Sequence, residues 1–345
     1  MACEKQLPPE GADPGSSYDC LQLLEGVRTG HRSSISRAIS VIENGGGEAA
    51  ALLAALPGEG RGARRIGVTG PPGSGKSTLV AKIAAMLVAR GRCIAVLAID
   101  PTSPYTRGAV LGDRVRMADL DAGDSAFIRS MATRGAGGGL SARAADAADV
   151  LDAAGFDCIF IESAGVGQVE LDIRDVADTV VVMLVPESGD QIQAIKAGLM
   201  EIADVYVLNK ADRPGAHGAL QAIQSVLGFQ HHGDEQWKPR VLSAAAASGQ
   251  GLGEVLDEIE RHGAHLESRH GRESVRSRRV RARVVRLVNE SLQGRLWDRK
   301  RDEQLAAGLT RIGQGRLSVR ELTDEIIEAF AGDVAGAGQD HRVVD

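Results

Sequence analysis

One stretch limits this chain more than any other. Gly70-Pro71-Pro72-Gly73-Ser74-Gly75-Lys76-Ser77 fits G-x-x-x-x-G-K-[S/T], between a predicted strand, Ile66–Thr69, and a predicted helix near 77–90. In that context the pattern has a mechanism. The glycines let backbone N–H groups curl around phosphate oxygens, and the helix N-terminus adds a favourable dipole. Lys76 is placed to reach the β and γ phosphates, and the Ser77 hydroxyl to ligate Mg²⁺. Gly70 to Thr78 are the candidate phosphate-binding residues.

The rest of the chain suits such a loop. Short runs of β-forming residues alternate with helical stretches: Cys93–Ile99, Ala126–Arg129, Cys158–Glu162, Val180–Val185, Val205–Leu208 and Val241–Leu242, with helices near 141–154, 191–202, 217–227 and 251–262. Continuous Val/Ile runs mean strands buried on both faces. The fold class expected is α/β, a mainly parallel sheet with helices on both faces, as in P-loop NTPases. Aromatics are only 3% and Gly numbers 43, so the core must be built from Val, Ile, Leu and Ala.

Two helical regions flank the sheet. Leu21, Leu24, Val27, Ile35, Ile39 and Ile42 recur at helical spacing, with a break near Gly30, and Ala49–Leu56 reads as another short helix. Arg276–Trp297 reads as one amphipathic helix with Val280, Val284, Leu287, Val288, Leu292 and Leu296 on one face. A final short helix is expected near Val319–Phe330, and the last fifteen residues are expected to fray. The organisation predicted is a tail and helical prefix over 1–64, a nucleotide-binding domain over 65–265 and a helical arm with a tail over 266–345.

Lys plus Arg is 40 and Asp plus Glu 46, giving a net charge of −6, which argues against general nucleic-acid binding. No apolar run approaches a membrane span, and the amino end has no signal-peptide pattern. Cys3, Cys20, Cys93 and Cys158 have no metal-ligand spacing and are too few for a disulfide scaffold. A cytoplasmic protein is expected. His231-His232 reads as a solvated loop. Arg272, Arg276, Arg278, Arg279, Arg281, Arg283 and Arg286 form a basic cluster, read as a solvated face or dimer salt bridges, with a phosphate-rich partner as the alternative.

Asn209-Lys210-Ala211-Asp212 follows the strand Val205–Leu208. Asp212 can accept hydrogen bonds from guanine N1–H and N2–H₂. Adenine offers neither donor, so a buried Asp would be left unpaired against it. The Lys210 stem can lie on the base plane. Ser243-Ala244-Ala245, after the next strand, can offer a backbone N–H to guanine O6. These residues predict GTP and GDP as ligands. Asp100 and Glu162 end predicted strands, where ligands bind in open α/β sheets, and a hard cation wants such oxygens. Glu162-Ser163-Ala164-Gly165 resembles the D-x-x-G switch of G-proteins with Glu for Asp, so the Gly165 N–H could sense the γ-phosphate. Gln168 is three residues past Gly165 rather than adjacent, which counts against a water-orienting role.

Taken together, these residues resemble one family. Asp100-Pro-Thr-Ser-Pro-Tyr-Thr-Arg-Gly-Ala-Val-Leu-Gly-Asp113-Arg-Val-Arg-Met117 is similar to D-P-S-S-x-x-T-G-G-S-I-L-G-D-K-T-R-M of the MeaB/ArgK/MMAA GTPases, of the SIMIBI class. Phe127–Arg129, Glu162–Gln168 (the family's E-T-V-G-V-G-Q) and Gly189–Lys196 also match, and the resemblance covers about 20 to 330. It implies a cytoplasmic homodimeric GTPase that chaperones an adenosylcobalamin-dependent acyl-CoA mutase, chiefly methylmalonyl-CoA mutase, gating cofactor loading and protecting the mutase. It implies Asp113 near the γ-phosphate, as Mg²⁺ partner or general base, which makes Lys76, Asp113 and Glu162 the candidate catalytic residues and Ser77, Asp100, Asp113 and Glu162 the candidate metal ligands. It also implies a third switch over Glu187–Gly198, with Asp190, Gln193 and Lys196 facing the mutase. The chain departs from the pattern at Arg107 (Gly in the family), Ser163-Ala164 (Thr-Val), Met131–Gly135 and Pro186-Glu187. The departures cluster in switches, so the client could be another acyl-CoA mutase. The rival readings are a P-loop kinase acting on transport proteins and a metal-insertase GTPase.

Overall fold

The computed structural model describes residues 20–56, 60–101, 125–133, 140–163, 173–186, 200–228, 237–268 and 271–340. Its centre is a seven-stranded sheet in the order β3-β2-β4-β1-β5-β6-β7. The strands are β1 (Arg64–Thr69), β2 (Ile94–Pro101), β3 (Ala126–Thr133), β4 (Cys158–Glu162), β5 (Thr179–Leu184), β6 (Val205–Leu208) and β7 (Arg240–Ser243). Every pairing is parallel. Parallel strands need crossover connections, and the helices Lys76–Ala89, Leu140–Ala153 and Ala216–Gly228 supply those from β1 to β2, from β3 to β4 and from β6 to β7. The helices are α1 (Cys20–Arg28), α2 (Arg32–Asn44), α3 (Gly46–Ala55), α4 (Lys76–Ala89), α5 (Leu140–Ala153), α6 (Ala216–Gly228), α7 (Leu252–Ser268), α8 (Gly271–Leu296), α9 (Arg299–Gly313) and α10 (Val319–Asp340).

Side-chain alternation along the strands feeds two cores. Ile159 and Ile161 of β4 join Val180 and Val182 of β5 on the face covered by α1, α2, α3 and α5. Phe160 of β4 joins Ile66, Val68, Val181 and Met183 on the other face, under α4 and α7. Each such Val, Ile or Phe, fully removed from water, contributes roughly 1.5–3 kcal/mol against leaving it exposed. Gly67, at the middle of β1, is bare because a Cβ there would come 2.7 Å from Ile173 Cγ1. The helical prefix is part of this packing: Val27, Ile35, Ile39 and Leu52 are buried in the same core as the sheet.

The chain divides into two compact units, Met1–Arg281 and Ala282–Asp345, and the division falls within α8. In the first unit, Arg279 of α8 pairs with Asp178 at 3.1 Å and Arg278 donates to the Arg174 carbonyl at 3.3 Å. Part of the basic cluster therefore points into the fold rather than into solvent. In the second unit, α9 and α10 pack closely at Gly308, where a Cβ would come 2.2 Å from Leu322 Cδ1. Arg301 pairs with Asp333, and Arg311 forks onto Glu325 at 2.9 and 3.1 Å.

The carboxyl end is more helical than the sequence pattern suggested. Helix α9 was not expected; its start is written in Asp298, whose side chain accepts from the Arg301 N–H at 2.8 Å. Helix α10 continues ten residues past Phe330, where fraying was expected, and Lys300 and Arg301 both hold Asp333 within that extension. Cys93 falls just outside β2, with its carbonyl accepting from the Asp157 N–H at 2.8 Å. Of the predicted helix near 191–202, the described part is the turn Met200–Ile202. On α8, Val280, Val284, Leu287, Val288 and Leu292 of the stripe read from the sequence are 44–54% exposed.

Candidate functional site

The sheet directs three loops to one place. β1 runs into the phosphate loop, flanked by β4 on one side and β5 on the other, with Val68 in register with both Glu162 and Val181. This is the carboxyl end of the strands, next to the point where the strand order reverses. Gly70, Gly73 and Gly75 have φ of 138°, 75° and 91°. Two of them are also pressed by neighbours: a Cβ at Gly70 would meet the Met183 carbonyl oxygen at 2.3 Å, and one at Gly75 would meet Asn209 Nδ2 at 2.4 Å.

Lys76 is buried, and its Nζ donates to the Gly70 and Pro71 carbonyl oxygens at 2.8 and 3.1 Å. The ammonium is thus stretched over the loop's own carbonyls. The Ser77 hydroxyl donates to Glu162 Oε1 at 2.6 Å, and both residues are buried. A hydroxyl and a carboxylate side by side, at the first turn of a helix, form a hard oxygen pair suited to Mg²⁺. Asp100 lies at the carboxyl end of β2, its backbone in register with Ala132. Asp113, Gly165, Gln168, Asp190, Gln193 and Lys196 lie outside the described residues, as do Arg107 and Ala164.

The base loop is tied to the phosphate loop by one side chain. Asn209 is buried; its Nδ2 donates to the Ser74 carbonyl at 2.7 Å, and its Oδ1 accepts from the Ala246 N–H at 2.9 Å. The loop after β6, the loop after β7 and the phosphate loop are held as one rigid piece by an amide with both ends used. Lys210 sits at φ 57°, a left-handed turn that swings the following residues outward. Asp212 is exposed, not buried as the pairing argument pictured. The amides assigned to guanine O6 also need correction. Ala244 N–H donates to the Leu208 carbonyl at 2.9 Å and Ala245 N–H to the Gln250 carbonyl at 3.0 Å, so neither points outward. The loop bends sharply enough to require Gly251, at φ 77°, where a Cβ would meet the Ser243 carbonyl at 2.3 Å. Lys82 of α4 donates to the Ala247 carbonyl at 2.9 Å and fastens the loop to the sheet's helical layer.

Pattern reading missed two groups. The Ser163 hydroxyl donates to Thr69 Oγ1 at 2.8 Å, and both residues are fully buried or nearly so. This bond joins the end of β1, where the phosphate loop starts, to the residue following Glu162. The other is Ala246, whose N–H completes the Asn209 bridge. Neither has a sequence signature of its own, because each acts through a partner distant in the chain.

A seven-stranded parallel sheet, a lysine-bearing phosphate loop and an Asn-Lys-x-Asp base loop define a P-loop nucleotide-binding protein of the G-protein type. A family model described as "Methylmalonyl Co-A mutase-associated GTPase MeaB" matches residues 35–301, and the chain belongs to that family of GTPases. A GTPase of Pyrococcus abyssi is 38% identical over 90% of this chain and 97% of its own length. The GTPase ArgK of Escherichia coli is 36% identical over 68% of this chain and 72% of its own. The mitochondrial methylmalonic aciduria type A homolog of Mus musculus is 38% identical over 56% of this chain and 47% of its own. Among solved structures, one described as a LAO/AO transport system kinase superposes with a TM-score of 0.70 at 25% identity, covering 92% of this chain and all of that one.

Proposed function

We propose that this chain binds and hydrolyses GTP with Mg²⁺ and uses the cycle to chaperone an adenosylcobalamin-dependent acyl-CoA mutase in the cytoplasm. The observation that carries the nucleotide part is the Asn209 bridge, which fixes the base loop to the phosphate loop. Only a ligand that spans both, with a base and a phosphate chain, uses that arrangement. Lys76 exchanges the Gly70 and Pro71 carbonyls for β and γ phosphate oxygens, a stronger charge-assisted pairing. Ser77 and Glu162 fit the metal, which when bound would neutralise developing charge on the phosphates. The Lys210 stem and Asp212 carboxylate take the base, and a base stacked there would cover Asp212. The Ala247 N–H, for which no bond within the chain is found among the described residues, is taken as the donor to guanine O6, since the amides of Ala244 and Ala245 are used inside the fold.

Asp113 acts near the γ-phosphate, as metal partner or general base. Asp113→Ala should retain GDP binding and lose hydrolysis; a wild-type rate in that variant rejects the role. The chaperone part rests on the family name and on the match of Gly189–Lys196 to the family's third switch. Affinity capture from the native cell should recover a cobalamin-dependent mutase subunit. GTP turnover should rise when that mutase is added and should lose the rise in Lys196→Ala. Unchanged turnover with a tightly bound mutase refutes the switch while leaving GTP binding intact.

The homodimer is part of the same reading. The bare stripe of α8 offers Val284, Leu287, Val288 and Leu292 to a second copy, and helix-to-helix packing is the usual way to bury such a stripe. The likeness to a solved structure described as a LAO/AO transport system kinase favours a second reading, a kinase. Incubation with γ-labelled GTP separates the two: label released as phosphate supports the GTPase, and label transferred to protein supports the kinase.

A further inference from the structure

A cavity of about 420 Å³ opens at the amino ends of β1, β4 and β5, the end of the sheet opposite the phosphate loop. Its size is that of a small-molecule site. Leu87 of α4, Phe156, and Leu256 and Ile259 of α7 give it an apolar floor, with the Cys158 thiol among them. Burial pushes that thiol up to about 11, so it stays protonated and adds apolar surface rather than charge. The charges at the mouth are mostly matched. Arg64 pairs with Glu267 at 3.0 Å and Arg92 with Asp157 at 3.8 Å. Glu260 pairs with Arg90 at 3.0 Å, and Asp178 with Arg279 at 3.1 Å.

Arg61 is the exception. Among the described residues it meets no carboxylate, and its Nη2 donates only to the Arg28 carbonyl at 3.2 Å. Two glycines make room for the guanidiniums around it. Gly155, at φ 90°, lies under Arg61, where a Cβ would come 2.5 Å from Nη1; one at Gly263 would come 3.2 Å from Arg64 Nη1. One unmatched guanidinium above an apolar floor selects one negative charge on an apolar body. A guanidinium fork matches a carboxylate in two-point geometry.

We propose that this cavity is a binding site for a small aliphatic monocarboxylate, with its chain on the Leu87–Ile259 floor and its carboxylate on Arg61. The site is separate from the nucleotide loops and is not accounted for by GTP hydrolysis.

Calorimetry on the full chain with octanoate and with octanamide tests it. Octanoate should bind saturably, about tenfold tighter than the uncharged amide, the worth of one charge-assisted hydrogen bond. Arg61→Gln should erase that preference. Gly263→Leu, which grows a side chain into the mouth, should weaken both ligands about tenfold or more, and melting followed by circular dichroism verifies its fold. Should that variant not fold, Leu266→Trp on the half-buried rim replaces it. Octanoate that does not saturate, that binds no tighter than octanamide, or whose preference survives Arg61→Gln overturns the proposal.

Discussion

The Ser77 hydroxyl donates to Glu162 Oε1 at 2.6 Å, joining the first turn of α4 to the end of β4 across 85 residues of sequence. The two groups are neighbours because β1 and β4 are adjacent and in register at Val68 and Glu162. A metal at this pair has two oxygen donors set by the sheet rather than by a mobile loop. Ser77→Ala and Glu162→Gln should each abolish the dependence of GTP affinity on Mg²⁺ and slow hydrolysis at least about tenfold, as removal of a charge-stabilising group does. GDP binding in EDTA should change little. Titration of fluorescent GTP with and without Mg²⁺ checks both; a Glu162→Gln variant that keeps full Mg²⁺ dependence contradicts the assignment.

Lys76→Ala removes the ammonium now held by Gly70 and Pro71. Tight triphosphate binding should be lost, while the fold remains, since the loop carbonyls can turn to water. Equilibrium dialysis with GTP, together with an unchanged melting midpoint, is the measurement.

Asn209→Ala leaves the Ser74 carbonyl and the Ala246 N–H without their partner in a buried place. That should cost about 1–3 kcal/mol per orphaned group. Nucleotide affinity should fall more steeply than stability, because the two loops lose their fixed separation. Urea unfolding and GDP titration on the same sample separate the effects. Asp212→Asn should instead keep stability and exchange guanine for xanthine preference, since the amide pairs with the extra oxygen.

A buried pair at the amino end of the sheet gives a pH dependence of its own. His262 is buried, its Nδ1 is 2.8 Å from Thr179 Oγ1, and its Nε2 is 3.5 Å from Asp204 Oδ1. Burial, with His265 and Arg278 nearby, lowers the imidazole to about 4, and burial raises the Asp204 carboxyl to about 6. Between about pH 4 and 6.5 the unfolded state binds the histidine proton more strongly, so the His262 contribution to stability rises with pH. Between about pH 4 and 6 the folded state binds the aspartate proton more strongly, so the Asp204 contribution falls. The two oppose each other. His262→Gln should therefore lose stability relative to wild type as pH rises from 4.5 to 6.5, by on the order of 2 kcal/mol. Urea unfolding at those two pH values decides; a constant difference contradicts it.

Val284→Asp with Val288→Asp places charges on two residues that are 53% and 50% exposed. The fold should tolerate them, and the second copy should not. Light scattering should give a monomer for the variant and a dimer for the wild type. A dimer in both removes α8 from the interface.

Local chemistry made most of the site legible in sequence. Gly70–Ser77 is readable because positive φ, an N–H cradle and a helix start must all fall within one short segment, and only glycines in those places allow it. The strands β4 and β6 are readable because their Val and Ile runs must be buried on both faces. Helix α9 was not readable in the same way: its buried face is set by α10, at Gly308 against Leu322, and its own sequence is mostly polar.

The amino-acid order by itself determined the nucleotide loops, the parallel sheet and the family, since each is carried by residues near one another along the chain. Only the tertiary structure decided that Ser77 meets Glu162, that Asn209 joins Ser74 to Ala246, that Ala244 and Ala245 spend their amides inside the fold, and that Arg61, which meets no carboxylate among the described residues, stands over a cavity with an apolar floor. The physical reason is distance: hydrogen bonding and charge act over a few ångströms, and which distant residues come that close is set by strand order and helix packing, not by spacing along the chain.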